Sequence, residues 1–155
     1  MRALIQRVST ASVDAEGVQV SAIGAGLLVL LGVVHADNEA AADWLVDKVC
    51  MLRIFAGVGA DGKTVKPMNR SVIDVQGEVL VVSQFTLAAD VSKGRRPGFS
   101  SAAKPEQAES LYDYFCRGIE SRLGSVKTGK FAADMQVHLT NDGPITFMLE
   151  NPGHP

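Results

Sequence analysis

An uncharged apolar stretch from Ala22 to Val34 is the feature that most constrains how this chain can fold. It contains three glycines and is well short of the ~20 residues that a helix needs to cross a bilayer. We therefore expect a buried strand here, with Leu27–Val34 as its fully apolar part, and no membrane anchor.

The length and composition are those of one compact domain. The chain has 155 residues, of which 46% are hydrophobic and 21% charged. This is enough apolar surface for a core and enough charge for solubility. We expect one domain over residues 1–150, followed by a short tail, residues 151–155, that contains two prolines and a glycine.

Cysteine usage and the first residues indicate a cytoplasmic protein. Cys50 and Cys116 lie far apart with no metal-ligand spacing around them, so we expect buried free thiols. Residues 1–7 carry two arginines around a very short apolar stretch, which lacks the apolar region of a signal peptide. The cytoplasm is therefore the default location.

Two amphipathic helices are predicted. Asp37 or Asn38 can cap a first helix, in which apolar side chains recur at helical spacing. Pro105 opens a second helix that ends near Gly124. The apolar positions are Ala41, Leu45, Val49 and Leu52 in the first helix and Ala108, Leu111, Phe115 and Ile119 in the second.

Most other segments are predicted to be strands. β-Branched residues favour antiparallel strands at Leu4–Val8 and Ser12–Val20, with a turn near Gly17 between their apolar parts. A hairpin is expected with Val72–Val75 and Glu78–Val82 as its arms.

The glycines and charged residues of Gly57–Pro67 indicate a surface loop. Alternating residues predict two final strands, Met135–Thr140 and Ile145–Glu150, on either side of a turn at Asn141–Pro144. Strands dominate, and two helices are inserted between groups of them. This order predicts a single-domain α+β fold, with an antiparallel or mixed, barrel-like sheet and two packed helices.

The charge pattern limits contacts with nucleic acid. Fifteen basic and seventeen acidic residues give a formal charge of -2, so the chain lacks the basic field of a protein that coats nucleic acid. Any contact must be local, and the best candidate is the loop with Lys93, Arg95 and Arg96. A solvated surface loop is the commoner interpretation of such a run, and phosphate binding is the alternative.

Several common kinds of site are disfavoured. The chain has no Gly-x-Ser-x-Gly pentapeptide, the mark of a nucleophile elbow. His35, His138 and His154 are scattered, which gives no support for a metal site. The glycines of the apolar stretch do not lead into a helix as a nucleotide-binding loop requires. We therefore expect neither a metal nor a cofactor.

Two segments remain as candidates for a site. Ser83–Thr86 interrupts a strongly apolar strand with three polar residues, which either serve a purpose or simply end the strand. Gly143 precedes Pro144, which cannot donate to a sheet ladder, while glycine allows unusual backbone geometry. A plain turn explains most such dipeptides.

Together, Ser83–Leu87 and Asn141–Thr146 resemble the two signature motifs of the D-aminoacyl-tRNA deacylase family, also called the D-tyrosyl-tRNA deacylase family. The resemblance covers nearly the whole chain and extends to Ala3–Val8, Ile23–Gly32, Arg95–Phe99 and Phe131–Val137. One departure is the connection around residues 61–70, which is longer than is usual in the family.

The resemblance implies a homodimer that hydrolyses the ester of D-aminoacyl-tRNA. Each active site would combine Ser83–Leu87 of one subunit with Gly143 and Pro144 of the other. The Gly-Pro bond is cis in the family, and its carbonyls leave no room for the side chain of an L-amino acid. D-Residues and glycine are accepted, so glycyl-tRNA is a second expected substrate and chirality is read by exclusion.

The resemblance also implies that the RNA takes part in the reaction, through the 2′-hydroxyl of its terminal adenosine. Backbone N–H groups around Phe85 and Thr86 would polarise the ester carbonyl. Ser83, Gln84 and Thr86 would orient the pocket, which Phe85 shapes.

Two supporting residues follow from the same resemblance. Arg7 would hold the Gly-Pro loop with its guanidinium group, and Phe131 would stack on the terminal adenine. Two alternatives stay open. In the first, Thr86 is a covalent nucleophile. In the second, the chain is a non-catalytic module that binds the tRNA end or a peptide and contacts phosphates through residues 93–96.

Overall fold

The computed structural model describes residues 1–151 and consists of one mixed sheet, a separate hairpin and two helices. The helices are α1 (Glu39–Met51) and α2 (Pro105–Leu123), and a short 3₁₀ helix spans Phe85–Ala88. The strands are β1 (Arg2–Ala15), β2 (Val18–Ile23), β3 (Gly26–Gly32), β4 (Phe55–Val58), β5 (Val65–Arg70), β6 (Glu78–Ser83), β7 (Lys127–Thr128) and β8 (Met135–Glu150). Apart from Asn151, the expected tail lies outside the described residues.

β1 is the central strand of the main sheet. One of its edges pairs antiparallel with β3 over Arg2–Val8 and with β2 over Ala11–Ala15. Its other edge pairs with β8 from end to end, apart from two register shifts. Beyond β3, β6 and then β7 join in parallel. The sheet is therefore mixed and nearly closed, which confirms the predicted α+β fold.

The apolar stretch forms β3, which is buried on both faces. Leu27 and Val29 belong to the core between the sheet and the two helices, whereas Leu28 packs in a second apolar cluster on the other face of the sheet. A strand covered on both faces has no polar side to show, so its sequence is continuously apolar. The buried strand is confirmed, although it ends at Gly32, two residues earlier than expected.

Both helices begin at the predicted residues. The Asn38 side chain accepts a hydrogen bond from the N–H of Ala41 at 3.0 Å and so caps α1. Pro105 is the first residue of α2, and Gly124 ends it in the left-handed region, with a φ of 81°. Neither helix of the described residues has the length and apolar character needed to cross a bilayer.

The first strand is longer than expected. Leu4–Val8 and the first part of Ser12–Val20 form one continuous strand, β1. The predicted turn is at Glu16 and Gly17, where it separates β1 from β2. The chain bends at the register shifts within β1 instead of ending there, because pairing with β8 resumes after each shift.

Residues 57–67, predicted as a loop, belong instead to a hairpin formed by β4 and β5, a two-stranded sheet of its own. Its turn is organised by Asp61, which accepts hydrogen bonds from the hydroxyl and N–H of Thr64 and from the N–H of Lys63. These bonds lower the pKa of Asp61 to about 2. Most side chains of the hairpin are exposed, so its sequence lacks the apolar alternation that would have revealed strands.

The hairpin predicted from Val72–Val75 and Glu78–Val82 is wrong in its first arm. That arm forms turns, in which the N–H of Ser71 donates to the Asp74 carboxylate at 2.8 Å. The second arm is β6, which pairs in parallel with β3. Apolar residues identified a buried strand there, but they carry no information about its partner.

Cys50 and Cys116 are buried free thiols, as predicted. Burial raises the pKa of Cys50 to about 11 and that of Cys116 to about 12. The thiolate, which is the reactive form, is therefore scarce at neutral pH.

We predict that Gly26→Ala destabilises the fold severely. A Cβ at Gly26 would lie 1.9 Å from the carbonyl oxygen of Glu78, at the first pair of the parallel β3–β6 ladder. The Glu78 carbonyl belongs to the backbone of a paired strand and cannot rotate away from the new methyl group as a side chain could. We therefore expect the free energy of unfolding, measured in urea, to fall by about 3 kcal/mol. Gly24→Ala is the control, because its Cβ would meet only the Glu78 side chain, at 3.4 Å. Equal losses in the two variants would contradict this account.

Candidate active site

The carboxyl ends of three parallel strands meet at one edge of the sheet. β3, β6 and β7 run in the same direction, so the segments that follow them lie side by side. A cavity of about 550 Å³ lies there. Its walls come from the ends of β3 and β6, from residues 131–134 between β7 and β8, from the start of β8 (Met135 and Val137), and from residues 102–112, which include the start of α2.

The predicted catalytic segment lies partly in this cavity. Ser83, Gln84 and Phe85 line it, whereas Thr86 and Leu87 do not. Ser83 is the last residue of β6, and the N–H of Gln84 still donates to a β3 carbonyl, at 2.8 Å. The chain then enters the 3₁₀ helix, whose first N–H groups have no acceptor within the helix. The polar residues therefore both end the strand and face the cavity.

The 3₁₀ helix is held by one contact within its own segment and by two contacts to the sheet. The Gln84 side-chain amide donates to the Thr86 hydroxyl. The Leu87 carbonyl accepts a hydrogen bond from Arg2 Nη1 at 2.7 Å. Leu87 also packs on Gly32, where an added Cβ would lie 2.9 Å from the Leu87 Cβ. Glycine at this position lets the helix approach β3 closely.

Two aromatic residues in contact with each other also line the cavity. Phe131 lies against Tyr112, with ring centroids 5.8 Å apart, and the Tyr112 hydroxyl donates to the Val81 carbonyl at 2.9 Å. Burial raises the pKa of Tyr112 far above its usual range, so the phenol stays neutral. The neighbouring Ala132 has a φ of 58°, a conformation that costs energy for a residue other than glycine.

Sequence reasoning named Phe131 but missed Tyr112. Tyr112 follows Leu111 on the buried face of α2, where an aromatic residue is typical of a core position. Its hydroxyl was the only signal, because a buried phenol needs a hydrogen-bond partner.

The basic loop, residues 93–96, is exposed and does not line the cavity. Two backbone hydrogen bonds between Asp90 and Gly98, at 2.8 and 2.9 Å, close the base of this loop. Phe99 follows at once and packs on Phe85, with ring centroids 5.1 Å apart. The basic loop is thus attached to the rim of the cavity through an aromatic contact.

Gly143 and Pro144 lie in a bulge of β8, which corrects the prediction of a turn between two strands. β8 pairs with β1 on both sides of this segment. Between the two nearest pairs, β1 contributes only Arg7, and β8 contributes residues 142–145, which we call the Gly-Pro bulge. Asn-Asp-Gly-Pro has the composition of a turn. Because β8 pairs with β1 on both sides of it, however, the segment bulges out of the strand and the chain keeps its direction.

Arg7 contacts the Gly-Pro bulge from the opposite strand. Its Nε lies 3.0 Å from the Asp142 carboxylate and 3.3 Å from the Asp142 carbonyl oxygen, and its Nη1 donates to the Ile54 carbonyl at 2.6 Å. Gly143 has a φ of 107°, and an added Cβ would lie 2.4 Å from Arg7 Nη2. Backbone conformation and space therefore both favour glycine at this position.

The Gly143–Pro144 peptide bond is trans, like every peptide bond of the described residues. The resemblance implied a cis bond, so the structure differs from the expectation here. Trans is the ordinary state, which X-Pro bonds favour by about 0.5–1 kcal/mol.

The Gly-Pro bulge is not part of the cavity of its own chain. None of its residues lines that cavity. The bulge lies on β8, which also exposes the large apolar side chains Leu139, Phe147 and Met148. The two motifs are therefore separate within one chain.

Neither His35 nor His138 lines the cavity. His35 Nδ1 is 3.1 Å from the Ser101 carbonyl, and His138 Nε2 is 3.2 Å from the Asp14 carboxylate. His154 lies outside the described residues. Over residues 1–151, no group of three potential ligand side chains could hold a metal ion.

We predict that Gly143→Ala destabilises the protein more than Gly94→Ala does. Both glycines have a positive φ, which costs alanine about 1–2 kcal/mol, but only Gly143 faces a close neighbour. Arg7 would have to give up hydrogen bonds to accommodate the new methyl group, so we expect a further loss of about 1 kcal/mol in urea denaturation. If the two variants lose equal amounts of unfolding free energy, the Arg7 contact adds nothing to the stability.

Comparison with known proteins agrees with this architecture. Residues 4–150 match the family model described as D-Tyr-tRNA(Tyr) deacylase. Similar proteins include the D-aminoacyl-tRNA deacylases of Idiomarina loihiensis and Escherichia coli O81, which are 57% and 55% identical over 150 residues, or 97% of this chain and 99% of each relative. The solved structure of a c-Myc DNA Unwinding Element Binding Protein is 45% identical, with a TM-score of 0.88 over 98% of this chain and 99% of its own. The chain therefore belongs to the D-Tyr-tRNA(Tyr) deacylase family.

Proposed function

We propose that the chain hydrolyses the ester of D-aminoacyl-tRNA in the cavity and releases the free amino acid and the tRNA. The observation that carries this proposal is the position of Ser83–Phe85, a segment that resembles a family motif and lines the cavity. The volume of about 550 Å³ lies within the range of small-molecule sites. Phe131 offers an aromatic face to a nucleobase, while Ser83 and Gln84 offer polar groups to the ester.

The side chains of the cavity offer no activated nucleophile. The lining residues include no histidine, lysine or cysteine, and the carboxylate among them, that of Asp134, makes no hydrogen bond to the Ser83 hydroxyl. The Tyr112 hydroxyl is bonded to Val81 and kept neutral by its raised pKa. We assign the missing proton-transfer role to the RNA, whose 2′-hydroxyl lies next to the ester oxygen. This hydroxyl would hold and activate a water molecule. The oxygen of that water bonds to the ester carbonyl carbon, the bond to the ribose oxygen breaks, and the ribose oxygen takes up a proton from the water. The protein would position the ester and polarise its carbonyl through the N–H groups of Phe85 and Thr86.

We assign rejection of L-amino acids to the Gly-Pro bulge of a second subunit. The bulge lies outside the cavity of its own chain, so it can act only on the site of another copy. Leu139, Phe147 and Met148, on the same strand, are exposed large apolar side chains of the kind that a homodimer interface covers. Carbonyls of the bulge would then occupy the space that an L side chain needs, and both D-residues and glycine would be accepted.

Charge distribution favours approach of the tRNA from the side of the basic loop. α1 and α2 together carry seven acidic and three basic residues, whereas the basic loop carries Lys93, Arg95 and Arg96. The acidic helices would repel the phosphate backbone, and the loop at the rim of the cavity would attract it. Because aminoacyl-tRNA serves translation, we place this activity in the cytoplasm.

Matched D-tyrosyl-tRNA, L-tyrosyl-tRNA and glycyl-tRNA test the proposal. We expect multiple-turnover release of D-tyrosine and glycine, with kcat/KM for the L substrate lower than for the D substrate by at least about a hundredfold. Phe131→Ala should raise KM by weakening stacking of the adenine, whereas Lys127→Ala, on β7, is a nearby control that should change nothing. Comparable rates on D and L substrates would contradict the exclusion mechanism. Binding without turnover would favour the non-catalytic module.

The role of the RNA hydroxyl needs a separate test. A substrate that ends in 2′-deoxyadenosine should be cleaved about 10²–10⁴-fold more slowly. This is the usual decrease in rate when a positioned proton-transfer group is removed. Thr86→Ala should keep appreciable hydrolysis of the ordinary substrate. An aminoacyl adduct trapped on Thr86 and abolished in Thr86→Ala would decide for the covalent mechanism instead.

A further inference from the structure

The side chain of Asn141 joins both ends of the Gly-Pro bulge. Its Nδ2 donates two hydrogen bonds, one to the carbonyl of Arg7 at 2.9 Å and one to the carbonyl of Ile145 at 3.1 Å. Asn141 comes directly before the bulge, Ile145 is its last residue, and Arg7 lies opposite on β1. Three points around the bulge are thus connected by one half-buried amide.

These two bonds span the break that the bulge makes in the pairing of β1 with β8. Arg7 pairs with Leu27 of β3 on one side but with no residue of β8 on the other. The carbonyls of Arg7 and Ile145 lie at this break in the pairing, and a half-buried carbonyl without a hydrogen bond is unfavourable. The two hydrogens of a side-chain amide satisfy both carbonyls at once.

Neighbouring side chains match the orientation of the amide. The Thr146 hydroxyl lies 3.5 Å from Asn141 Oδ1, and the Gln6 side-chain amide donates to the same hydroxyl at 3.3 Å. The oxygen of Asn141 thus faces a hydroxyl, and its nitrogen faces two carbonyls. A carboxylate of the same shape would have no hydrogens to donate and would face both carbonyls with negative charge.

We propose that Asn141 is a positioning residue that sets the geometry of the Gly-Pro bulge and thereby the strength of L-amino acid rejection. This inference rests on the proposed function. Asn141 touches neither the substrate nor the cavity of its own chain. It acts by holding the two ends of the bulge at a fixed separation, so that the carbonyls of Gly143 and Pro144 are presented to the neighbouring site in one arrangement.

Asn141→Asp tests this proposal, because it keeps the shape and removes both donors. We expect the ratio of kcat/KM for D-tyrosyl-tRNA to that for L-tyrosyl-tRNA to fall by about tenfold, the equivalent of one lost hydrogen bond. The loss should arise mainly from faster cleavage of the L substrate. Asn141→Ala should lower the same ratio without adding charge. It provides the test if the aspartate variant does not fold.

Two control variants separate this role from general effects. Asn69→Asp adds the same charge on the hairpin of β4 and β5, where its amide donates to the Val58 carbonyl at 3.4 Å, and should leave the ratio unchanged. Thr146→Val removes the 3.5 Å contact to Asn141 and the hydrogen bond from the Gln6 amide, but it keeps both bonds that Asn141 donates, so it should change the ratio by less than about twofold.

The possible outcomes are distinct. If Asn141→Asp and Asn141→Ala lower both rates in proportion, together with the Tm, then Asn141 is merely structural and the proposal is overturned. An unchanged ratio in active variants overturns it as well. If the unaltered chain releases no D-amino acid from the tRNA, the proposed function itself fails, and this inference fails with it.

Discussion

The antiparallel pairing of β1 with β8 is the interaction on which the rest of the structure depends. β1 gives one edge to β3 and β2, which build the buried sheet, and its whole other edge to β8. The Gly-Pro bulge exists only because this pairing continues on both sides of it. A segment of the same composition without a ladder at each end would be an ordinary loop, in which nothing would keep Asp142 beside Arg7.

The two motifs have opposite kinds of support, and this suits different tasks. Ser83–Phe85 lies at the end of a parallel strand that is covered on both faces, so packing from both sides holds the main chain at the cavity. The Gly-Pro bulge lies on an edge strand whose outer face is open to solvent. A rigid element is suited to holding a reacting ester, and an exposed edge is suited to meeting another molecule.

The sequence could predict those features whose cause is local. The continuous apolar run indicated β3, Asn38 and Pro105 marked the starts of the helices, and Gly124 marked an end. The sequence could not show that β6 pairs with β3 in parallel, because burial on both faces does not specify a partner. It could not show the bulge either, since Asn-Asp-Gly-Pro is typical of turns and only long-range pairing keeps the strand going.

The candidate site followed the same division. Ser83, Gln84 and Phe85 were visible as polar and aromatic residues after an apolar strand, and the structure puts them in a cavity. Tyr112 was hidden within the pattern of a core helix. The separation of the Gly-Pro bulge from the cavity had no local signal, because it is a property of the folded sheet and not of either segment.

Pairing of β1 with β8 also has a consequence for how the chain reaches its folded state. Arg2 pairs with Glu150, so the pairing of β1 with β8 can form only after the last strand has been synthesised. Contacts between such distant residues carry a large loop-closure cost and slow folding. Until they form, one edge of β1 stays unpaired and able to pair with other chains. The bulge therefore forms late, because β8 leaves the ribosome after the helices and the parallel strands have had time to form.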